Sequence, residues 1–167
     1  MSDDNVPAAL RGDDLETWSA LATVLEWLPA ALDAALQRDA DVTHFEYGIL
    51  FALADSPQRS LRMAVLAGYA NSSLSRLSRA VSRLEAKGWV ARTPDSDDGR
   101  STLAALTDVG LEKFQSATPG HVRIVHQLVL DPLTQAQARQ LHAISRRIMG
   151  AIREDEGWTP SSAERNR

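Results

Sequence analysis

Arg76, Arg79 and Arg83 follow one another at steps of three and four residues, a spacing that gathers three guanidinium groups on one face of a helix. At about 100° per residue, Leu74, Leu77, Val81 and Leu84 fall on the opposite side, and Ser72 and Ser75 flank the arginines. An apolar face of that kind docks the helix on its domain, and short hydroxyls let its backbone approach a partner closely. The planar fork of arginine can hydrogen-bond guanine O6 and N7, or a phosphate. This is suitable chemistry for a helix lying in the major groove of double-stranded DNA. A solvated arginine face with no ligand has the same pattern, and the helix alone favours neither reading.

A second basic feature follows the helix. Pro94, Asp95, Ser96, Asp97, Asp98 and Gly99 form a turn between two short β-rich runs, Trp89 to Thr93 and Ser101 to Leu106, so a hairpin is predicted. Asp98, Gly99 and Arg100 stand at its tip. A carboxylate two residues before an arginine can hold the guanidinium for insertion into a narrow minor groove, whose negative potential attracts it. The alternative is an ordinary exposed ion pair, worth at most about 1 kcal/mol. A helix, a turn, a basic helix and a basic-tipped wing in that order point to DNA binding more strongly than any one of them.

The charge distribution agrees. The 167 residues include 18 basic and 22 acidic ones, a net charge of −4. Between Arg59 and Arg100 lie eight basic and four acidic residues, so that segment is +4 and the remainder −8. An acidic chain with one concentrated basic segment does not coat nucleic acid by bulk charge, but it can offer one anion-binding face. There is no cysteine, which removes disulfides, thiolate nucleophiles and Cys-based zinc sites. No Gly-rich phosphate loop, Gly-x-Ser-x-Gly or His-Glu-x-x-His motif occurs, so no enzyme activity is expected. His121 and His126 lack the i, i+4 spacing that suits a shared metal, and neither metal nor cofactor is expected.

The elements that must position these residues follow from periodicity and caps. A long helix is predicted from Asp13, with Asp13 as cap, carrying Trp18, Leu21, Leu25, Leu28, Leu32 and Leu36, with a kink near Pro29. Thr43 and Glu46 form a capping-box pattern for a second helix, to about Ala54. An extended piece around Ser60 to Arg62 leads to a brief helix from Met63 to Tyr69, and the basic helix runs from about Ser72 to Lys87, stopped at Gly88. After the hairpin, Thr107 starts a helix interrupted at Pro119 and Gly120. Thr134 with Gln137 caps a last helix to about Glu154. The polar N-terminus, residues 1–12, and the tail, residues 158–167, are expected to be disordered and flexible.

Arg83-Leu84-Glu85-Ala86-Lys87-Gly88-Trp89-Val90, then Asp98-Gly99-Arg100, then Leu106-Thr107 with Gly110, resembles the MarR family of dimeric winged-helix transcriptional regulators. The resemblance runs from about Trp18 to Ile152. It implies a mainly α fold with a small β-hairpin wing, a winged helix-turn-helix DNA-binding lobe over residues 43–107, and dimerisation helices at 13–40 and 108–155. Together these make a single domain over 13–157. It also implies that Ser72, Ser73, Ser75, Arg76 and Arg79 face bases or nearby phosphates, that Arg83 meets a phosphate, and that Arg100 enters the minor groove with Asp98 orienting it.

A homodimer is expected on separate grounds. Leu128, Leu130, Leu133, Leu141, Ile144, Ile148 and Ile152, with the helix from Trp18 to Leu36, are more apolar surface than a small winged lobe can cover. Members of the family often bind a small lipophilic or phenolic effector between the dimer helices and the lobe. Trp18, Trp27, His44 and Tyr47 are the candidates to line such a site, although each is more often a core or interface residue than a ligand contact, because large aromatics mainly supply buried area. Two departures stand out: the helix from Met63 to Tyr69 lacks the acidic residues common there, and the absence of cysteine excludes peroxide sensing through a thiol. The expectation is a cytoplasmic, sequence-specific repressor with no membrane association, released from a pseudopalindromic operator by an effector. The alternatives are a winged-helix protein-interaction module and a small-molecule binding protein without an operator.

Overall fold

The computed structural model describes residues 9–96 and 98–152. Among these residues six α-helices and a three-stranded sheet follow in the order α1 (Gly12–Ala40), α2 (His44–Asp55), β1 (Ser60–Arg62), α3 (Met63–Tyr69), α4 (Leu74–Ala86), β2 (Val90–Pro94), β3 (Thr102–Leu106), α5 (Asp108–Val125) and α6 (Gln135–Ile152). A π-helical turn, His126–Leu130, extends α5. Residues 1–8, Asp97, the end of the last helix near Glu154 and the tail 158–167 lie outside the described residues.

α2 is the centre of the lobe. Its Ile49, Leu50, Ala52 and Leu53 are fully buried, and it packs against α1, α3, α4, α5, β1 and β3. The capping box at its start is formed as the sequence predicts: Thr43 Oγ1 accepts from the Glu46 N–H at 3.0 Å, and Glu46 Oε2 accepts from the Thr43 N–H at 3.1 Å. Ser56, whose hydroxyl donates to the Leu53 carbonyl, ends it. The extended piece Ser60–Arg62 is a true strand. It pairs with β3, giving the antiparallel order β1-β3-β2, a third strand beyond the predicted hairpin.

Three expectations are corrected. α1 is capped from Arg11 with no side-chain bond, so Asp13 is not the cap; with Asp14 it places carboxylates in the first turn, where the helix dipole favours them. α5 runs through Pro119 and Gly120 without interruption, because the helix is held by burial of Ala117 and by Phe114 against the core. Leu74 does not join the apolar face of α4: it is 54% exposed, whereas Leu77, Ala80, Val81 and Leu84 are buried. It sits in the first turn of its helix, beyond the edge of the core.

The outer helices are differently composed. α1 is long and apolar enough to cross a membrane by length and composition alone, yet little of it is covered. Trp18, Leu25 and Trp27 stand exposed on it, and α6 has no buried residue.

Gly88, with φ +74°, ends α4 in the left-handed region, as the sequence predicts. The chain then returns so that the Trp89 carbonyl accepts from the Thr107 N–H at 3.1 Å. Thr107 in turn caps α5 by accepting from the Gly110 N–H at 2.9 Å. A Cβ on Gly110 would overlap the Trp89 carbonyl. Gly110→Ala is therefore expected to lower stability by about 2 kcal/mol through backbone displacement. Gly48→Ala, in the middle of α2 with open space around it, should instead add about 0.5 kcal/mol. Urea unfolding of both variants checks this, and the two midpoints should move in opposite directions.

Candidate nucleic-acid interface

The basic helix is set on the lobe by the turn that precedes it. Asn71, with φ +44°, lets the chain leave α3, and the Ser72 N–H donates to the Ala67 carbonyl at 3.0 Å. Ser73 is the cap of α4: its hydroxyl accepts from the Arg76 N–H at 3.2 Å, so its side chain is engaged in holding the helix. The helix thus begins at Leu74, two residues later than the sequence predicts, and Ser72 precedes it. Ser75 is on the exposed side.

Arg76, Arg79 and Arg83 are all exposed and face away from the buried Leu77, Val81 and Leu84. Each has a different neighbour. The Arg76 guanidinium lies over the Phe45 ring, 4.6 Å from its centroid. Arg83 Nε donates to Glu46 Oε1 at 2.8 Å, a bond from the basic helix to the capping box of α2. Burial alone would push the Glu46 carboxyl up, but the Thr43 N–H and the Arg83 guanidinium hold it below the usual carboxylate range. Because Arg83 is 57% exposed, the rest of its fork faces solvent. Arg79 makes no ion pair among the described residues. With Arg76 and Arg83 it borders a cleft of about 630 Å³ shared with Pro29 and Asp33 of α1 and His44 of α2.

At the wing tip the structure corrects one expectation. Asp98 does not grip the Arg100 guanidinium. Its Oδ1 accepts from the Arg100 backbone N–H at 3.1 Å and its Oδ2 from the Ser101 hydroxyl at 2.8 Å. Those bonds, the Ser101 hydroxyl first, hold the Asp98 carboxyl below its usual range. The carboxylate thus fixes the turn, and the turn presents Arg100. A carboxylate two residues before an arginine reaches that residue's backbone N–H, which is closer than the end of a long side chain.

Two arginines that the sequence reading counted only as charge are built into this face. Arg62 Nε donates to Asp95 Oδ2 at 2.6 Å, and Arg92 Nη2 donates to the Ser78 carbonyl at 2.6 Å. With Arg100 they border a groove of about 440 Å³ between the wing and α4. Strand parity could have found Arg92, because it lies two residues from the buried Val90 and so on the side of β2 turned to α4.

The four residues expected to line a ligand site do not converge. His44 and Tyr47 meet His121 of α5, with Tyr47 and His121 ring centroids 4.2 Å apart and His44 stacked on His121 at 6.0 Å. Trp18 and Trp27 instead lie exposed on α1, Trp27 at 74%. A monomer supplies no second apolar wall for them. The Tyr47 hydroxyl is within 3.1 Å of the Thr118 hydroxyl, which closes the contact between α2 and α5.

Comparison with known proteins places this geometry. The sequence profile of the MarR family matches residues 40–101. A MarR family transcriptional regulator from Streptomyces coelicolor, Sco3205, solved in complex with DNA, is 41% identical, with a TM-score of 0.86 over 94% of this chain and 98% of that one. AbsC, another MarR family regulator from the same organism, is 29% identical with a TM-score of 0.83, covering 89% of this chain and all of that one. Among curated proteins, the transcriptional repressor IacR of Pseudomonas putida is 30% identical over 107 residues, 62% of this chain. The transcriptional repressor MprA of Escherichia coli is 26% identical over 103 residues. The match spans between 55% and 59% of the length of these curated relatives and of a Bacillus subtilis regulator, YdcH.

The histidine pair generates a pH dependence. Burial lowers the affinity of His44 for a proton, opposed by the Asp33 carboxylate, and burial together with His44 lowers that of His121. Both ring Nδ1 atoms are buried without a hydrogen-bond partner. The unfolded chain, with histidines near 6.5, therefore takes up protons more readily than the folded one. Stability should be full above that value and decline as the pH falls below it. Replacing the pair (His44→Gln with His121→Gln) should flatten the decline between about pH 7.5 and 5.5 in thermal melts, since protonation no longer favours the unfolded state there.

Proposed function

The chain belongs to the MarR family of winged-helix transcriptional regulators, and from that premise we propose that it is a sequence-specific DNA-binding repressor acting as a homodimer. The observation that carries this reading is the outward face of α4. Arg76, Arg79 and Arg83 stand clear on a helix whose other side is locked into the core by Leu77, Val81 and Leu84. α4 enters the major groove with Ser72, Ser75, Arg76 and Arg79 toward bases or adjacent phosphates, Ser73 holds its first turn, and Arg83 meets a phosphate. Arg100, presented by the turn that Asp98 fixes, reaches the neighbouring minor groove.

The dimer follows from surface that one chain leaves bare. On α6, Leu141, Ile144 and Ile148 recur at helical spacing on an element with no buried residue, and Trp18, Leu25 and Trp27 stand out from α1. This 18-residue helix has no fully buried residue, whereas most helical stability in proteins comes from packing an apolar face against a partner. Pairing both ends of the chain across a two-fold axis covers these residues and sets two copies of α4 about one helical turn, roughly 10 bp, apart. A small lipophilic or phenolic effector seated between the dimer helices and the lobe would change that spacing and release the operator. The site of action is the cytoplasm.

A fluorescence-anisotropy titration against a duplex selected by the protein from random sequence, and against its scramble, tests the reading. If each protomer neutralises about four phosphates, log K against log salt should fall with a slope near −7. Arg76→Ala should relax base preference, and Arg83→Ala should weaken all sequences alike, each by about tenfold. A slope near zero, or equal binding to both duplexes, would reject it in favour of a face that docks an acidic protein.

A further inference from the structure

Arg92 is set apart from the arginines that face outward. β2 is an edge strand, and Arg92 turns its side chain and its backbone N–H together toward α4. Nη2 donates to the Ser78 carbonyl at 2.6 Å, to the Ser82 hydroxyl at 2.9 Å and to the Ser78 hydroxyl at 3.3 Å. Nη1 donates to Glu85 Oε2 at 3.3 Å, and the backbone N–H donates to Glu85 Oε1 at 3.2 Å. Ser78, Ser82 and Glu85 are spaced four and three apart, so one residue of the wing is bonded along a full face of the basic helix. Small side chains at 78 and 82 are what let the guanidinium lie against the helix backbone.

The opposite side of the wing is held as well. Arg62, at the end of β1, donates to Asp95, a carboxylate only 6% exposed where the turn begins. The two arginines flank the groove at whose rim Arg100 sits. Beyond Leu103, where the pairing with β1 ends, the wing is two-stranded; a two-stranded hairpin is marginally stable by itself, and its mobility would have to be frozen each time Arg100 engaged DNA. Freezing it in advance lowers that cost.

We propose that Arg92 is a positioning residue that fixes the wing to α4, so that Arg100 and the basic helix engage DNA as one rigid unit. The proposal rests on the DNA-binding reading above, and its chemistry is specific to arginine. A lysine keeps the charge but cannot serve a helix carbonyl, a hydroxyl and a carboxylate at once from a planar fork.

The test compares wild type, Arg92→Ala, Arg92→Lys, Arg100→Ala and the Arg92→Ala/Arg100→Ala double variant on the duplex that the wild type selects. Arg92→Ala and Arg92→Lys should each weaken binding about as much as Arg100→Ala, roughly tenfold, and the double variant should bind within about twofold of either single. Penalties that multiply, as for an independent DNA contact, or wild-type binding by Arg92→Lys, would overturn the proposal. Amide hydrogen exchange on the free proteins supplies a readout that needs no DNA. In Arg92→Ala, amides of residues 98–103 should exchange at least about fivefold faster while those of α2 are unchanged, the mark of local rather than global opening. Unchanged exchange in the wing would also overturn it. A wild type that selects no duplex would reject the DNA-binding reading, and the exchange result would then decide the brace alone.

Discussion

Glu46 is the group on which the arrangement of this protein depends. A carboxylate taken out of water costs several kcal/mol unless its lone pairs are met, and here they are met from two directions. The Thr43 N–H at the head of α2 donates to one oxygen and the Arg83 guanidinium on α4 donates to the other. The same residue therefore starts the central helix and clamps the basic helix across it. A neutral side chain in that position could satisfy the cap, but it would leave Arg83 without the charge that draws it down. The orientation of α4 is thus set at its C-terminal half by an ion pair and along its length by Leu77, Val81 and Leu84.

The same economy appears on the other side of α4. Most of the arginines in the basic segment are spent on structure: Arg83 partly on Glu46, Arg62 on Asp95, Arg92 on the helix itself, and Arg59 on Asp108. Lys87 reaches the Asp41 side chain and carbonyl. Among the described residues of this segment, the Arg79 and Arg100 guanidinium groups have no protein acceptor, and Arg76 has only the face of Phe45. A charge count over the segment therefore overstates what is available to an anionic partner. What remains is one strip on α4 and one point at the wing, and their separation is held by the bonded arginines between them.

Much of this was legible in the sequence because the signals were local. The Thr43–Glu46 box, the Gly88 stop, the bounds of α3 and the Thr107 cap are each decided by atoms within a few residues of one another, and each was found where the sequence placed it. What escaped involves contacts across the chain. β1 is three residues long and becomes a strand only because β3 lies beside it. Pro119 reads as a break, but burial of Ala117 and the Tyr47–Thr118 contact outweigh one missing backbone bond. Leu74 matches the apolar side of the wheel and yet lies beyond the edge of the core. Asp98 meets the backbone N–H of Arg100 rather than its guanidinium, since a spacing of two constrains the backbone N–H more closely than the end of the side chain. Residue type alone groups Trp18 and Trp27 with His44 and Tyr47, and residue type carries no information about distance.

The first turn of α2 joins the two halves of the molecule. On one side Thr43 and Glu46 are tied to Arg83; on the other, Tyr47 and His44 meet Thr118 and His121 of α5, and the His44 N–H donates to Asp33 of α1 at 2.7 Å. Four residues, within about one turn of helix, therefore contact the basic helix and both long outer helices. The outer helices carry exposed apolar residues, and in the proposed dimer α1, α5 and α6 would set the angle at which two copies meet. A shift of α5 against α2 disturbs the packed contacts of Tyr47, His44 and His121, whose close packing tolerates displacement less well than an exposed polar seam would. In the proposed dimer the lobe would therefore follow the outer helices as a body, and the spacing of two copies of α4 would be a property of the pair rather than of either chain.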